Sequence, residues 1–265
     1  MITHPTQFIS RALDNNRLSD GFYELELEWN SHAPAPTPGQ FLTIRIGNGK
    51  GTVPLLRRPF AFSSFDADSS VVRIIYQTRG IGTEFLASAR RGEELDVIGP
   101  LGTPFAVDTD RSKHIIVAGG IGLGPMLFLS SYLTSRNISS RFVFGCRNEG
   151  FIPSIKRFTA ANPLICTDDG SAGFRGTAAD YINANILPDI NTDTTIYACG
   201  PLPMLKSVSK IAKDRNANCL VSLEAVMACG VGACMGCVVP TVNGYSRVCK
   251  EGPIFNGKDV LWERM

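Results

Sequence analysis

The chain has 265 residues, which is long enough for two domains or for two and a small appendage. With 44% hydrophobic and 19% charged residues, the composition is typical of a packed globular protein and argues against disorder. The net charge of +2 indicates no strong attraction to nucleic acid or an anionic membrane, and the N-terminus lacks the apolar core of a secretory signal. The longest apolar stretch, HIIVAGGIGLGPMLFL, is interrupted by glycines and is too short for a membrane span. We therefore expect a cytoplasmic protein with neither a nucleic-acid nor a membrane partner.

The first hundred residues predict a small antiparallel β-barrel. Two stretches, APAPTPGQ at 33–40 and GNGKGT at 47–52, are typical of turns. Only TEFLASARR at 83–91 has a helical pattern. Many short strands at this spacing favour a barrel. The candidate strands are rich in aromatic and β-branched residues and stand at 21–29, 41–46, 60–65 and 71–78.

Beyond Thr109, strands and helices alternate, which predicts an open parallel α/β sheet. From Val221 the chain is rich in cysteine and glycine and ends in short strand-like pieces. We therefore predict three domains: a β-barrel over 1–108, an α/β domain over 109–220 and a small domain over 221–265. In the second, the predicted strands are 114–120, 141–146, 163–170 and 195–200, and the predicted helices are 124–136, 152–160, 177–187 and 201–215.

Four of the eight cysteines have the spacing C-x4-C-x2-C-x11-C, and they are Cys229, Cys234, Cys237 and Cys249. This is the plant-type arrangement of a [2Fe–2S] cluster. The small residues Gly230, Gly232, Ala233 and Gly236 let backbone N–H groups approach the sulfur atoms, where their hydrogen bonds tune the cluster. A zinc site is less natural because only Cys234 and Cys237 form a C-x2-C pair. The spacing also leaves open a [4Fe–4S] cluster, or cysteines that simply pack in the core.

The remaining cysteines, Cys146, Cys166, Cys199 and Cys219, lie in or beside apolar runs, where a free cysteine acts as a small buried hydrophobe. Cys199 has a second interpretation. It ends a predicted strand in YACGP and would then lie at the carboxyl edge of the sheet, facing a ligand crevice. The three histidines, His4, His32 and His114, have no ligand spacing, so a Rieske-type cluster is not indicated.

The stretch HIIVAGGIGLGPM predicts a strand, a glycine-rich turn and the start of a helix. N–H groups at such a helix start bind pyrophosphate, and glycines let the ligand approach the backbone. A tight turn between packed elements is the alternative. The residues of this turn are Gly119, Gly120, Gly122, Gly124 and Pro125.

The barrel holds two further candidate phosphate sites. RRPFAFSS at 57–64 places consecutive arginines in a strand, where they need anionic partners, and Phe60 can stack on a flat ring. GIGT at 80–83 precedes a helix and provides a second phosphate seat. For each, the alternative is a surface salt bridge or an ordinary loop.

In chain order, RRPFAFSS, GIGTEFL, GPLGTPF, GGIGLGPM and CGP resemble the ferredoxin–NADP reductase superfamily. The stretches TDDGSAGFRG, SLEAVMACGVGACMGC and RVCKEGPIF narrow this resemblance to the electron-transfer subunits of class 1B dihydroorotate dehydrogenases. The resemblance covers nearly the whole chain. Its most specific part is the C-terminal motif, which joins the cluster spacing to its flanks.

The resemblance implies that the barrel binds FAD and that the α/β domain binds a nicotinamide nucleotide, NAD or NADP. Ala61 departs from the Ser or Thr that is usual in the flavin motif R-x-[YF]-[ST], which puts the tuning of the flavin in question rather than its binding. Cys199 would lie near the hydride path, and Cys229, Cys234, Cys237 and Cys249 would hold the [2Fe–2S] cluster. The implied flavin residues are Arg58, Pro59, Phe60, Ala61, Ile75, Tyr76, Gln77, Gly82 and Thr83. The implied nucleotide residues are Gly119, Gly120, Gly122, Gly124, Pro125, Gly200 and Pro201.

The resemblance also implies a reaction and a partner. An FMN-containing dihydroorotate dehydrogenase subunit would oxidise dihydroorotate, and electrons would pass through the cluster and FAD to NAD⁺ in a heterotetramer with two copies of each subunit. FAD converts between hydride and single-electron transfer. Val231 and Met235 beside the cysteines would either contact that partner or cover the cluster.

Other members of this architecture serve as small subunits of NADH-dependent ferredoxin:NADP oxidoreductases, sulfide dehydrogenases and hydrogenases. A redox-sensing or zinc-binding protein on a dead reductase scaffold is a third hypothesis, which the flavin and nucleotide motifs oppose. Asp168 and Asp169 of TDDGS are candidates for the nucleotide crevice, but they do not decide between NAD and NADP.

Overall fold

The structure is a computed structural model that describes residues 5–47 and 54–265. The predicted turn at 47–52 lies outside the described residues except for Gly47, and His4 lies outside them as well. Within the two described ranges, no helix combines the length and the apolar character that crossing a lipid bilayer requires.

In the described part of the N-terminal region, six antiparallel strands close a barrel in the order β1-β2-β5-β4-β3-β6. The four predicted strands are confirmed, and two more, β1 and β6, complete the barrel. Phe8 and Phe62 pack edge-on against Trp29 in the core, at centroid distances of 5.1 and 5.3 Å. The strands are β1 Thr6–Ser19, β2 Phe22–Glu28, β3 Phe41–Ile44, β4 Arg58–Asp66, β5 Val71–Gln77 and β6 Glu94–Leu101.

Strand β1 was not predicted because its second half, LDNNRLS, is polar and resembles a turn. It is nevertheless a strand because it pairs with two partners: its first half with β6, from Thr6 opposite Gly99, and its second half with β2. The predicted helix at 83–91 exists as α1, Ile81–Ala87, which begins two residues earlier and ends four residues earlier.

The second region contains the predicted α/β sheet, whose strands lie in the order β10-β9-β8-β7-β11-β12-β15. The first six strands are parallel. Helix α2 is buried along most of its length and packs against the barrel, with Gly124 facing Ile75. The six parallel strands are β7 Lys113–Gly119, β8 Ser140–Cys146, β9 Leu164–Thr167, β10 Phe174–Arg175, β11 Thr194–Cys199 and β12 Asn218–Ser222. The helices are α2 Leu123–Thr134, α3 Lys156–Ala161, α4 Ala178–Tyr181 and α5 Leu202–Asp214.

The C-terminal region forms a hairpin of β13, Val238–Thr241, and β14, Gly244–Arg247, followed by β15, Ile254–Asn256. Strand β15 pairs antiparallel with β12 and so attaches this region to the edge of the parallel sheet. The predicted boundary at residue 220 falls inside β12. The division into 1–108, 109–220 and 221–265 stays a prediction.

Arg157 of α3 joins the α/β sheet region to the barrel. Its Nη1 donates to the carbonyl oxygen of Ser63 at 3.0 Å, and its Nη2 forms an ion pair with Glu24. Both side chains are largely buried, with 24% of Arg157 and 13% of Glu24 exposed. Burial lowers the pKa of Arg157 to about 10, so the guanidinium is charged at neutral pH. This clasp helps to set the orientation of the two regions.

We expect Arg157→Met to lower the free energy of unfolding by about 3 kcal/mol, because it leaves the buried carboxylate of Glu24 without a partner. Urea unfolding of the full chain measures this. Adding Glu24→Gln to the variant should restore much of the loss. Lys210→Met, which breaks an exposed helical pair with Asp214, is the control and should have a far smaller effect. Equal losses in the two single variants would contradict the clasp.

Candidate functional site

A cavity of about 230 Å³ lies where the barrel, the parallel sheet and the C-terminal region meet. The barrel and the parallel sheet contribute residues that the sequence predicted for the site. The C-terminal region contributes residues that the sequence did not single out. From the barrel it is lined by Pro59, Phe60, Ala61, Ile75, Tyr76 and Gln77, together with Gly39, Phe41 and Arg79. The other regions contribute Ile121, Pro125, Cys199, Ser222, Leu223, Glu224, Ala225, Met227 and Pro253.

The barrel side of the cavity suits a flat aromatic ring system. Phe60 and Tyr76 pack edge-to-face, with their ring centroids 5.8 Å apart. The Tyr76 hydroxyl donates to Asn15 Oδ1 at 2.9 Å, and burial raises the pKa of Tyr76 well above its usual range, so the ring stays neutral. Ala61 adds a methyl group where a hydroxyl would offer a hydrogen bond. These apolar walls with few polar groups are what a flavin ring requires.

The two consecutive arginines have different roles. Arg57 forms an ion pair with Asp96, and only 16% and 20% of the two side chains are exposed. The sequence left open a surface salt bridge as the alternative, and this pair is a salt bridge that is largely buried. Arg58 lies beside the start of α1. A Cβ added to Gly82, in the first turn of this helix, would lie 3.0 Å from Arg58 Nε. Its guanidinium is therefore placed next to the turn that was predicted to bind pyrophosphate.

The glycine turn connects β7 to α2, as predicted. A Cβ on Gly122 would lie 2.1 Å from the carbonyl oxygen of Cys199, and one on Gly119 would lie 2.7 Å from Met204 Sδ. These two glycines therefore allow the turns after β7 and β11 to touch. Gly120 differs from them, because its φ is +51° and nothing lies within 4 Å of the position of a Cβ. Tight packing accounts for Gly119 and Gly122, and Gly120 remains open to a ligand.

Cys199 ends β11 and lines the cavity, although only 3% of the residue is exposed. Burial, reinforced by the charge of Glu224 and partly offset by a hydrogen bond with Ser222, raises the pKa of Cys199 to about 12. The thiol is therefore neutral at physiological pH. Cys199 is buried in the core and also lines the cavity, and its place near a hydride path stays a prediction.

Sequence reasoning missed Glu224, which lines the same cavity. Its side chain is exposed to the cavity, and the protein around the carboxyl group raises its pKa, with the charge of Arg79 acting in the opposite direction. A carboxyl group that holds its proton more tightly than usual, in a cleft, marks a candidate for proton transfer. The only signal in the sequence was an acidic residue in the apolar stretch before Cys229.

The four cysteines of the motif lie in a loop over 229–237 and in the turn after β14. Cys237 and Cys249 are buried, whereas Cys234 is exposed. The Gly232 N–H donates to Cys249 Sγ at 3.1 Å, and the Cys249 N–H donates to Cys237 Sγ at 3.4 Å. The backbone thus approaches the sulfur atoms as the small residues predicted.

Hydrogen bonds within this loop favour the thiolate form of one cysteine, Cys229. Burial acts to raise the pKa of Cys229, but hydrogen bonds with the N–H groups of Val231, Cys234 and Ala233 and with the Cys234 side chain lower it to about 6. In residues 5–47 and 54–265, no three His, Cys, Asp or Glu side chains are grouped to hold one metal ion. A [2Fe–2S] cluster takes two ligands at each iron and needs no such grouping. The four thiols and their N–H donors fit that cluster.

The remaining candidate residues are buried or hydrogen-bonded to neighbouring protein groups. Cys146, Cys166 and Cys219 are buried, as predicted. His114 is also buried, with Nδ1 3.3 Å from the Tyr197 hydroxyl. Asp168 and Asp169 follow β9 at the carboxyl edge of the sheet, which is the edge that binds ligands in parallel α/β folds. Asp169 accepts two hydrogen bonds from Ser171, from the hydroxyl and from the N–H, and these lower its pKa.

Comparison with known proteins identifies the family. Residues 224–261 match the iron–sulfur cluster binding domain of dihydroorotate dehydrogenase B. The dihydroorotate dehydrogenase B (NAD(+)) electron transfer subunit of Caldanaerobacter subterraneus is 33% identical, over 96% of this chain and 98% of that relative. The corresponding subunit of Fusobacterium nucleatum is 35% identical, over 93% and 95%.

Solved structures share the fold. A structure of an NADH-dependent reduced ferredoxin-NADP oxidoreductase superposes with a TM-score of 0.81 and 23% identity, covering 96% of this chain and 90% of the other. Phthalate dioxygenase reductase superposes with a TM-score of 0.65 and 16% identity, covering 89% and 87%. The resemblance found in the sequence is confirmed, and the chain belongs to the family of dihydroorotate dehydrogenase B electron transfer subunits.

Proposed function

We propose that this chain carries electrons from the FMN of a dihydroorotate dehydrogenase catalytic subunit, through a [2Fe–2S] cluster and FAD, to NAD⁺ in pyrimidine biosynthesis. One observation supports this above the others. The segment Ser222–Met227 forms one wall of the cavity, and Cys229 follows it after a single residue. One continuous stretch of chain therefore contributes a wall to the proposed flavin site and the first cysteine of the proposed cluster site, which supports the short distance that electron transfer between them requires.

FAD exchanges a hydride with nicotinamide and single electrons with an iron–sulfur centre, and this conversion is the chemistry it supplies here. Pro59, Phe60 and Ala61 of β4 and Ile75, Tyr76 and Gln77 of β5 would hold its ring. Arg58, Gly82 and Thr83 would hold its pyrophosphate. Thr83 is already positioned at the start of α1, since its Oγ1 accepts from the Arg79 N–H at 2.8 Å.

The nucleotide would bind across the turns that follow β7 and β11. Gly119, Gly122 and Gly124 allow close packing there, and Gly120 and Pro125 would face the ligand, with Gly200 and Pro201 opposite. Cys199 would contact the nicotinamide as a neutral thiol. The carboxylates of Asp168 and Asp169 at the same edge would repel the extra phosphate of NADP, so we propose NAD as the nucleotide.

Glu224 would supply a proton to the cavity. Single electrons arrive without a proton, whereas a hydride carries one proton with two electrons. The proton must therefore come from a group beside the ring, and Glu224 is the candidate because its surroundings raise the pKa of its carboxyl group. Arg79, which also lines the cavity, would stabilise the carboxylate that remains.

The catalytic partner would dock at the cysteine loop. Val231 and Met235 are 45% and 52% exposed, which supports partner contact over a role in covering the cluster. Cys234 of the same loop is also exposed, and Val226, which shortly precedes the loop, is 87% exposed. We propose a heterotetramer with two copies of each subunit. We also propose that it works in the cytoplasm, where the eight free thiols would be stable.

Co-expression with an FMN-containing dihydroorotate dehydrogenase subunit tests this function. The purified complex should reduce NAD⁺ with dihydroorotate, whereas this chain alone should oxidise NADH only with an artificial acceptor. Copurification from native cells with a ferredoxin oxidoreductase, sulfide dehydrogenase or hydrogenase subunit instead would favour a role in one of those enzymes. Reduction of NAD⁺ by dihydroorotate with this chain alone would contradict the proposal.

We expect Glu224→Gln to slow reduction of NAD⁺ by dihydroorotate in the complex on the order of 100-fold, because the variant cannot donate a proton. Steady-state rates across pH measure this. In the wild-type complex the rate should fall as pH rises through the raised pKa of Glu224, since only the protonated carboxyl group donates. The variant should lack this pH dependence.

Direct reduction of the flavin by NADH should change much less in Glu224→Gln, because a hydride brings its own proton. The control is Glu94→Gln, at an exposed position on β6. An unchanged pH profile in Glu224→Gln would remove Glu224 from the mechanism.

We expect Met235→Glu to weaken binding of the catalytic subunit at least tenfold, because it places a charge in an apolar contact. Analytical ultracentrifugation of the mixed subunits measures this, with iron and FAD content checked first. The control is Val242→Glu, which is 56% exposed in the turn between β13 and β14. Equal binding by the two variants would show that the cysteine loop does not face the partner.

A further inference from the structure

Arg247 connects the two parts of the chain that carry the cysteines. It ends β14, two residues before Cys249. Its Nη1 donates to the carbonyl oxygen of Gly232 at 2.6 Å, which lies in the loop that holds the other three cysteines. The N–H of the same Gly232 donates to Cys249 Sγ at 3.1 Å. Gly232 thus joins the loop to the turn twice: its carbonyl oxygen accepts from Arg247, and its N–H donates to Cys249.

The guanidinium is fixed on its other side by Glu251. Arg247 Nε donates to Glu251 Oε2 at 2.9 Å, Nη2 pairs with Oε1, and the Arg247 N–H also donates to Oε2 at 2.8 Å. A fork held by both carboxylate oxygens has one orientation. Only 22% of the Arg247 side chain is exposed. The geometry of this pair therefore differs from that of a flexible surface salt bridge.

The turn that carries Arg247 is itself anchored to the barrel. The carbonyl oxygen of Arg247 accepts hydrogen bonds from the N–H groups of Lys250, Glu251 and Gly252. The Thr103 N–H, just after β6, donates to the carbonyl oxygen of Gly252 at 2.7 Å. Gly232 also cannot be larger, because its φ is +81° and a Cβ would lie 2.7 Å from Lys250 Cδ. The cysteine loop is thereby held against a rigid support.

We propose that Arg247 and Glu251 are positioning residues for the cluster: Arg247 fixes the cysteine loop through Gly232, and the two opposite charges together set the cluster's reduction potential. This rests on the [2Fe–2S] site of the proposed function. Charges beside an iron–sulfur centre and hydrogen bonds to its sulfur atoms are known determinants of its potential. A positive charge favours the reduced, more negative centre, and a negative charge disfavours it.

The sign of the effect gives a test that a purely structural role would not satisfy. Arg247→Gln leaves the Glu251 carboxylate unpaired and should lower the potential, whereas Glu251→Gln leaves the guanidinium unpaired and should raise it. We expect each variant to change the ratio of reduced to oxidised cluster about tenfold at a fixed potential, which is about 59 mV for one electron. The double variant should return near the wild-type potential.

The loop-fixing role has a separate readout. Arg247→Gln and the double variant should lose iron to a chelator at least tenfold faster than the wild type, because the Gly232 carbonyl has lost its donor. Arg247→Lys keeps the charge but not the fork, so its potential should match the wild type while its iron loss is faster. If Arg247→Gln does not fold, Arg247→Lys and Glu251→Gln decide the question.

Both measurements use the full chain loaded with FAD and cluster, and neither needs the catalytic subunit, so they stand apart from the identity of the partner. The control is Arg141→Gln, which breaks the exposed pair with Asp189 near the amino end of β8. Shifts of the same sign in Arg247→Gln and Glu251→Gln, or potentials and iron loss equal to the control, would overturn the proposal. A wild-type chain that takes up no [2Fe–2S] cluster would overturn the proposed function first, and this proposal with it.

Discussion

The segment from Ser222 to Cys229 has to meet two demands, and the rest of the structure is arranged around it. It must form a wall of the cavity and also begin the cysteine loop, because electrons pass only between closely spaced centres. Its position is set by hydrogen bonds: β12 pairs with β11 on one side and with β15 on the other, and the Leu223 N–H donates to the Pro253 carbonyl at 2.9 Å. The antiparallel strand β15 therefore helps to fix the point where the chain leaves the sheet.

Close approach of backbone is the second constraint on the crevice. The turns after β7 and β11 come so near to each other that Gly122 has no room for a Cβ. Helix α2 begins in this turn and packs on the barrel strand that carries Ile75, at a distance that Gly124 permits. The glycines of this stretch therefore differ in what they permit: Gly122 and Gly124 allow close packing, whereas Gly120 leaves its backbone open. The Arg157 clasp holds them together at a different place.

The cysteines show how the surroundings change the pKa of one type of side chain. At Cys199, burial among apolar groups raises the pKa to about 12 and keeps a neutral thiol beside the cavity. At Cys229, N–H groups pointing at the sulfur lower the pKa to about 6, so this side chain is ready to bind metal as a thiolate. At Glu224, which is exposed to the cavity, the protein around the carboxyl group also raises the pKa. The surroundings of the cavity therefore disfavour charge on Cys199, whereas the N–H groups of the cysteine loop favour it on Cys229.

The sequence by itself determined the class of fold, the order of most elements and the candidate cluster cysteines, because these depend on local patterns and fixed spacings. It did not predict β1 and β6, which become strands by pairing with each other and with β2 and β3 in the closed barrel. It also did not predict Glu224 or Arg247, because their partners, Arg79 and Gly232, are distant in the chain. Helix limits also differed: α1 ends four residues before its predicted limit, where Asn15 Nδ2 of β1 donates to the carbonyl oxygens of Leu86 and Ala89. Spacing along the chain specifies what a loop can bind, but burial and charge, which set how a site works, arise only when distant segments meet.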